Sequence, residues 1–97
     1  MIIAKPCVTM KGVVISGYSW DRKVKLDLTR TAQCLRERGY TVKKLLPGMM
    51  LLVEMEGYET SVYPSGKIII KLLEDAKRGE RLARIIYDCA GVLEVVS

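Results

Sequence analysis

Apolar and polar residues alternate through the middle of the chain, which predicts a run of β-strands. Turn signals at 47–48 (Pro-Gly), 56–57 (Glu-Gly) and 64–66 (Pro-Ser-Gly) divide this run, because glycine and proline favour tight turns. The predicted strands are residues 40–46, 49–55, 58–63 and 67–72. Consecutive strands joined by short turns predict an antiparallel meander.

The period of two residues assigns side chains to the two faces of this predicted sheet. One face is apolar and carries Met49, Leu51, Val53, Met55, Thr60, Val62, Ile68 and Ile70. The other face is mixed and carries Met50, Leu52, Glu54, Ser61, Tyr63, Lys67, Ile69 and Lys71. We therefore expect helices to cover the first face and leave the second face open.

Two segments have the apolar spacing of a helix. Asp27 is the predicted N-cap of the first, and Gly39 its end. The apolar stripe of this helix is Leu28, Ala32 and Leu35. Asp75 and Gly91 bound a second helix over 76–90 in the same way. Its stripe is made of small and apolar residues, Ala76, Gly79, Ala83, Ile86 and Ala90.

The two ends of the chain are also rich in Ile and Val. Residues 12–16 predict a strand, and residues 1–11 are either an N-terminal arm or an extra strand. The apolar tail, residues 92–97, is a candidate for an added strand. The sequence thus predicts one α+β domain over residues 1–97. Its order is β-α-β-β-β-β-α, with two helices on one face of a curved antiparallel sheet.

Composition narrows the chemistry more than the fold. The 97 residues contain no histidine, which removes the usual general base and the commonest metal ligand. No nucleophile–base pair, metal set or phosphate loop is visible, so an enzyme or small-ligand binder ranks last and we expect no cofactor. The net charge of +5 permits nucleic-acid contact without requiring it. We assign most of this basic excess to solvated helix faces, with an ion pair between Glu80 and Arg84.

The three cysteines, Cys7, Cys34 and Cys89, are far apart and form no CxxC motif. We expect reduced, buried thiols in a cytoplasmic protein. The opening apolar residues meet Lys5 and Pro6 too early for a signal peptide, and no apolar run is long enough for a membrane helix. We therefore expect no membrane contact.

Two short motifs and their spacing resemble one half of the TATA-binding protein saddle, which consists of two tandem repeats. Residues 25–28, Lys-Leu-Asp-Leu, resemble the Lys/Arg-Leu-Asp-Leu at the start of the family's first helix. Residues 63–67, Tyr-Pro-Ser-Gly-Lys, resemble the Phe-x-Ser-Gly-Lys turn before its last strand. Residues 76–86 are similar to its long second helix. The resemblance covers residues 12–91 and implies a single repeat.

The resemblance implies that the open concave sheet sits on the minor groove of DNA, where the family inserts paired Phe side chains between base steps. The wedge positions fall on Tyr63 and near Leu46. Lys67 matches the family lysine, and the strand positions that follow fall on Ile69 and Lys71.

The chain departs from the family at the same surface. Neither wedge position is Phe, and a basic residue of the family is replaced by Leu52. Glu54 and Glu59 point to the open face, with Glu56 at its edge. Carboxylates oppose DNA binding, because affinity depends on neutralising phosphate charge.

We therefore predict a non-enzymatic module that dimerises edge to edge and binds nucleic acid through the open face. Tyr63 would stack or wedge, Leu46 and Ile69 would make apolar contacts, and Lys67 and Lys71 would meet phosphates or groove edges. The alternative is a protein-interaction module. Its sheet edge, its Met50 and Leu52 surface or its tail would capture a partner, and the glutamates would favour a basic one.

Overall fold

An open antiparallel sheet forms the centre of the computed structural model, which describes residues 2–6, 11–17 and 24–96. Within these residues the strands are β1 (Ile2–Pro6), β2 (Gly12–Gly17), β3 (Thr41–Leu46), β4 (Met50–Met55), β5 (Tyr58–Val62) and β6 (Ile68–Lys71). The helices are α1 (Leu28–Glu37), α2 (Ala76–Ala90) and α3 (Leu93–Val96). The strand order across the sheet is β1-β2-β6-β5-β4-β3. The predicted α+β class is confirmed.

One face of the sheet is covered over its central strands, as the alternation predicts. Its buried residues are Val13, Ile15, Leu51, Val53, Met55, Thr60, Val62, Ile68 and Ile70. They form one core with apolar residues of α1 and α2. Met49 was expected on this face, but it lies in the turn before β4 and is 68% exposed. The Pro47–Gly48 turn extends one residue further than predicted, so Met49 belongs to the turn and not to the strand.

Both predicted helix starts are confirmed by their capping hydrogen bonds. The Asp27 carboxylate accepts from the backbone amides of Thr29 and Arg30, at 3.1 and 3.2 Å. The Asp75 carboxylate accepts from Lys77 and Arg78 in the same way. These bonds satisfy amides that have no partner inside the helix.

Helix α2 lies close to the sheet because small residues face β2. A Cβ atom at Gly79 would stand 3.1 Å from a methyl group of Val13, closer than ordinary van der Waals contact. Ala83 and Ala90 continue this face and are buried. At the other end of α2, Gly91 adopts a left-handed conformation (φ 77°) that ends the helix.

The chain ends differ in how they meet this core. β1 pairs antiparallel with β2 from Ile2 opposite Gly17 to Pro6 opposite Val13, so the N-terminal segment contributes an extra strand. The C-terminal tail is not a strand: it folds into the short helix α3, and Val96 is fully buried. Backbone bonds from Val95 and Val96 to Val92 close this turn, which leaves the tail's backbone paired locally rather than with the sheet.

A disulfide between Cys34 and Cys89 joins α1 to α2, so the expectation of free thiols is wrong for these two residues. Their Cα atoms are 5.4 Å apart, within the normal range for a disulfide. Cys7 lies outside the described residues. The prediction missed this pairing because the two cysteines are 55 residues apart in sequence and meet only where α1 packs against α2. Disulfides are rare in most reducing cytosols, so free thiols no longer support the cytoplasmic prediction.

Within the described segments, no helix is long and apolar enough to cross a membrane.

Tyr87 connects α2 to the turn between β5 and β6. Its hydroxyl donates a 2.5 Å hydrogen bond to the carbonyl of Gly66, and the side chain is fully buried. A Cβ atom at Gly17 would stand only 3.0 Å from the Tyr87 ring, closer than ordinary van der Waals contact, so glycine leaves the ring more room than any other residue. Burial raises the pKa of the Tyr87 phenol above its ordinary value.

We predict that the protein loses stability at alkaline pH through Tyr87. Above the ordinary phenol pKa of about 10, the unfolded chain releases this proton while the folded protein keeps it, so the unfolding free energy falls by about 1.4 kcal/mol per pH unit. Tyr87→Phe should cost about 1 kcal/mol at neutral pH and reduce the alkaline slope. Denaturant unfolding at a series of pH values measures both, and equal slopes in the two proteins would contradict this assignment.

We also predict a large contribution from the disulfide. Closing a loop of this length restricts the unfolded chain, so reduction should lower the unfolding free energy by about 2–4 kcal/mol. The measurement is urea unfolding with and without reductant, in a Cys7→Ser background that prevents exchange with the third thiol. The double variant Cys34→Ser/Cys89→Ser should be insensitive to reductant. A wild-type curve that reductant leaves unchanged would show that the thiols are not paired in solution.

Candidate nucleic-acid interface

The uncovered side of the sheet, called the open face below, is defined by residues that alternate with the buried core. They are Ile3, Lys5, Val14, Ser16, Thr41, Lys44, Leu46, Met50, Leu52, Glu54, Glu59, Ser61, Tyr63, Lys67, Ile69 and Lys71. The strand register arranges them in three rows that run across the strands. Four of these residues are lysines and two are glutamates, so the open face is mildly basic.

The middle row is apolar at its centre and basic at both ends. It runs Lys5, Val14, Ile69, Ser61, Leu52, Lys44, as the pairings between neighbouring strands require. Five strand spacings of ~4.8 Å separate its two lysines, a distance of about 24 Å. The row therefore presents an apolar strip with a cation at each edge of the sheet.

The second row contains the predicted wedge positions. Leu46 lies opposite Met50, and alternation places Tyr63 beside Met50 on the next strand. Tyr63 continues β5, and its backbone amide donates to the carbonyl of Lys67 at 2.9 Å, which closes the turn of residues 63–67. Leu46 and Tyr63 thus share one row with β4 between them.

The third row is acidic. Glu54 lies directly opposite Glu59 in the register of β4 and β5. Lys71 reaches the Glu59 carboxylate at 3.6 Å, and both side chains remain substantially exposed. Glu56 leaves this face: it lies in the turn after β4 and bonds to Arg78 of α2 at 2.8 Å, which raises the pKa of that guanidinium. The glutamates that oppose an anion are therefore Glu54 and Glu59.

The five residues proposed from the sequence lie on this one face. Tyr63, Lys67, Ile69 and Lys71 belong to adjacent strands or to the turn that joins them. Leu46 is two strands away, at the edge strand β3. The fold therefore brings Tyr63, Lys67, Ile69 and Lys71 into one group and leaves Leu46 as a separate apolar residue of the same face.

Three open-face residues were not predicted as part of the site: Ile3 and Lys5 of β1 and Lys44 of β3. Ile3 and Lys5 alternate correctly for the open face, but residues 1–11 had no assigned pairing. Lys44 lies opposite Leu52 and shares a face with Leu46. The register shift between Val42 and Lys44 changes the residues before it: it places Thr41 rather than Val42 opposite Glu54, which simple alternation does not reveal. Ile3 supplies an apolar side chain at one corner of the open face. Lys5 and Lys44 are the cations at the two ends of the middle row.

Three of the seven basic residues in α1, α2 and the C-cap of α1 form ion pairs with carboxylates: Arg38, Arg78 and Arg84. Arg38 bonds to Asp88 at 2.5 Å, and Arg84 bonds to Glu80 at 3.0 Å. The second pair is the predicted i, i+4 contact, which is confirmed. Tyr18, Trp20 and Lys23 lie outside the described residues.

A cleft of about 400 Å³ opens at the start of α1, between residues 25–29 and the turn at Pro47 and Gly48. Its one carboxylate, from Asp27, already caps the helix. In the part of the chain that the structure describes, no three acidic or cysteine side chains come together as a metal site. The open face is therefore the surface with the clearest arrangement of functional groups.

Comparisons with protein-family models, with curated proteins and with solved structures find no match to this chain.

We predict that the repulsion between Glu54 and Glu59 lowers the unfolding free energy. Like charges directly opposite across two strands repel, so Glu54→Gln should raise the unfolding free energy by about 0.5 kcal/mol at neutral pH and low salt. Glu74→Gln, with the same change of charge in the loop before α2, is the control. Thermal or urea unfolding measures both, and an equal gain in the control would contradict a local repulsion.

Proposed function

We propose that the protein is a non-enzymatic module that binds nucleic acid through the open face. The observation that carries this proposal is the group formed by Tyr63, Lys67, Ile69 and Lys71. An aromatic ring, an apolar side chain and two ammonium groups lie there on adjacent strands of an uncovered sheet. Surfaces that bind nucleic acid usually combine aromatic side chains, on which bases stack, with cationic side chains that contact the phosphates.

Each group has a role that its position supports. Tyr63 stacks on a base or wedges between base steps, with its neighbours Met50 and Leu46 extending the apolar contact. Ile69 lies in the apolar middle row. Lys67 is exposed and meets phosphate, whereas Lys71 must first leave its 3.6 Å contact with Glu59.

The resemblance to half of the TATA-binding protein saddle gains support from the topology. Strands β2, β6, β5, β4 and β3 are consecutive in the sheet, and α1 and α2 share its buried side. This is the arrangement that a single repeat requires. We propose that residues 12–91 form such a repeat and that β1 is an addition to it.

That addition changes how a second copy would pair. An edge-to-edge dimer through β2 needs a free edge, and β1 occupies that edge along its whole length. The outer edges of the sheet are β1, which carries Lys5 and Pro6, and β3, which has a bulge beside Lys44. Lysine, proline and bulges all discourage strand addition. The same features weaken the alternative in which a protein partner adds a strand to the sheet edge.

We predict that binding depends on Tyr63 more than on the helix face. Fluorescence anisotropy with a labelled A·T-rich duplex and a labelled single strand, at low and moderate salt, gives the affinities. Tyr63→Ala should weaken binding about tenfold, since a stacked base contributes ~1–3 kcal/mol. Arg81→Ala, on the exposed side of α2, should change affinity less than twofold at moderate salt.

Two control pairs separate stacking from charge. Tyr63→Phe keeps the ring and should retain affinity. Lys67→Gln should weaken binding and lower the salt dependence, whereas Lys77→Gln makes the same charge change on α2 and should not. Equal losses from both lysine variants would mean nonspecific attraction, and no binding of either nucleic acid would overturn the proposal.

A further inference from the structure

We propose that the open face is also the contact surface of a two-fold homodimer, in which two sheets pack face to face. Six of the open-face residues form a nearly continuous apolar area over five strands: Ile3, Val14, Leu46, Met50, Leu52 and Ile69. Contiguous apolar areas of this extent usually mark an interaction site. Both edges of the sheet are protected against strand addition by Lys5, Pro6 and the bulge in β3. A second copy would therefore contact the open face rather than an edge.

The area is sufficient for a weak specific dimer. Six strands at ~4.8 Å and three rows at ~6.8 Å give a face of about 600 Å². Two copies together therefore bury about 1,200 Å², the lower limit for specific interfaces.

The strand register selects one orientation for this dimer. With the two-fold axis parallel to the strands and between β5 and β6, β1 faces β3, β2 faces β4, and β6 faces β5 of the other copy. Val14 then meets Leu52, and Ile3 meets Leu46. An axis along the rows instead places Lys67 against Lys71 and Met50 against Glu54, which buries repulsive or unpaired charge.

Charges are complementary in the selected orientation at the acidic row. Lys71 of each copy faces Glu59 of the other, so the repulsion between Glu54 and Glu59 gains a second compensating cation. Lys67 lies over the ring of Tyr63, a favourable cation–π geometry. Glu54 faces Gly12 of the other copy and gains no cation there. A second mismatch lies at the rim, where Lys5 of one copy faces Lys44 of the other.

This mismatch provides a sharp experiment. Lys44→Glu turns both rim repulsions into attractions, because the two-fold axis repeats the contact, and it should tighten dimerisation about threefold to tenfold. The same change should weaken nucleic-acid binding, since it removes a cation from the open face. The dimer does not depend on the nucleic-acid proposal, and the opposite signs keep the two outcomes distinguishable.

Sedimentation velocity of the purified full chain, from low micromolar to submillimolar concentration, measures the dimer without nucleic acid present. We expect a concentration-dependent dimer that high salt weakens little, because its contact is mainly apolar. Val14→Lys should abolish it, with circular dichroism confirming the fold. Arg81→Glu makes the charge change of Lys44→Glu on the helix face and should leave the dimer unchanged. A wild-type protein that stays monomeric throughout, or a Lys44→Glu variant no tighter than Arg81→Glu, would overturn the proposal.

Discussion

Helix α2 can lie flat on the sheet because the residues that face β2 are small. Gly79 brings the helix backbone against Val13, and the alanines that follow maintain this separation. At the far end, the Tyr87 hydroxyl bonds to Gly66 and fixes the helix to the turn between β5 and β6. The position of Tyr63 and Lys67 on either side of that turn thus depends on a contact made beneath the sheet. The buried face in this way determines the geometry of the open one.

The covered face of the sheet is buried, but the open face also carries apolar residues that remain in contact with water. The sheet needs β-branched and long apolar residues to hold its strands together, so Val14, Leu52 and Ile69 remain partly exposed in the middle row. An apolar row of this kind is costly in water unless something covers it. Its lysines at both ends keep the free protein soluble and attract anions. The binding proposed for the open face would therefore also cover this apolar row.

Local rules explain why much of the fold was predictable. Caps at Asp27 and Asp75 and the alternation of β4 to β6 depend on neighbouring residues, and the structure confirms them. The failures involve contacts between distant segments. The tail has the composition of a strand, but hydrogen bonds from Val95 and Val96 to the carbonyl of Val92 make it helical. The disulfide requires α1 to cross α2, and the bulge in β3 requires the register of β4; neither is encoded in a short window of sequence.

The same distinction applies to the candidate site. Tyr63, Lys67, Ile69 and Lys71 could be placed together because a single turn joins their strands, whereas Lys5 and Lys44 join the face only through the order of six strands. The overall charge of +5 gives little guidance, since carboxylates already engage several helix arginines. What distinguishes the open face is not the amount of positive charge but the separation of most of its cations from its carboxylates. Cations lie at the two ends of an apolar row and at the turn, while the two glutamates are confined to one row. A ligand that presents anionic groups outside and flat or apolar groups inside therefore fits this face better than one that is anionic throughout.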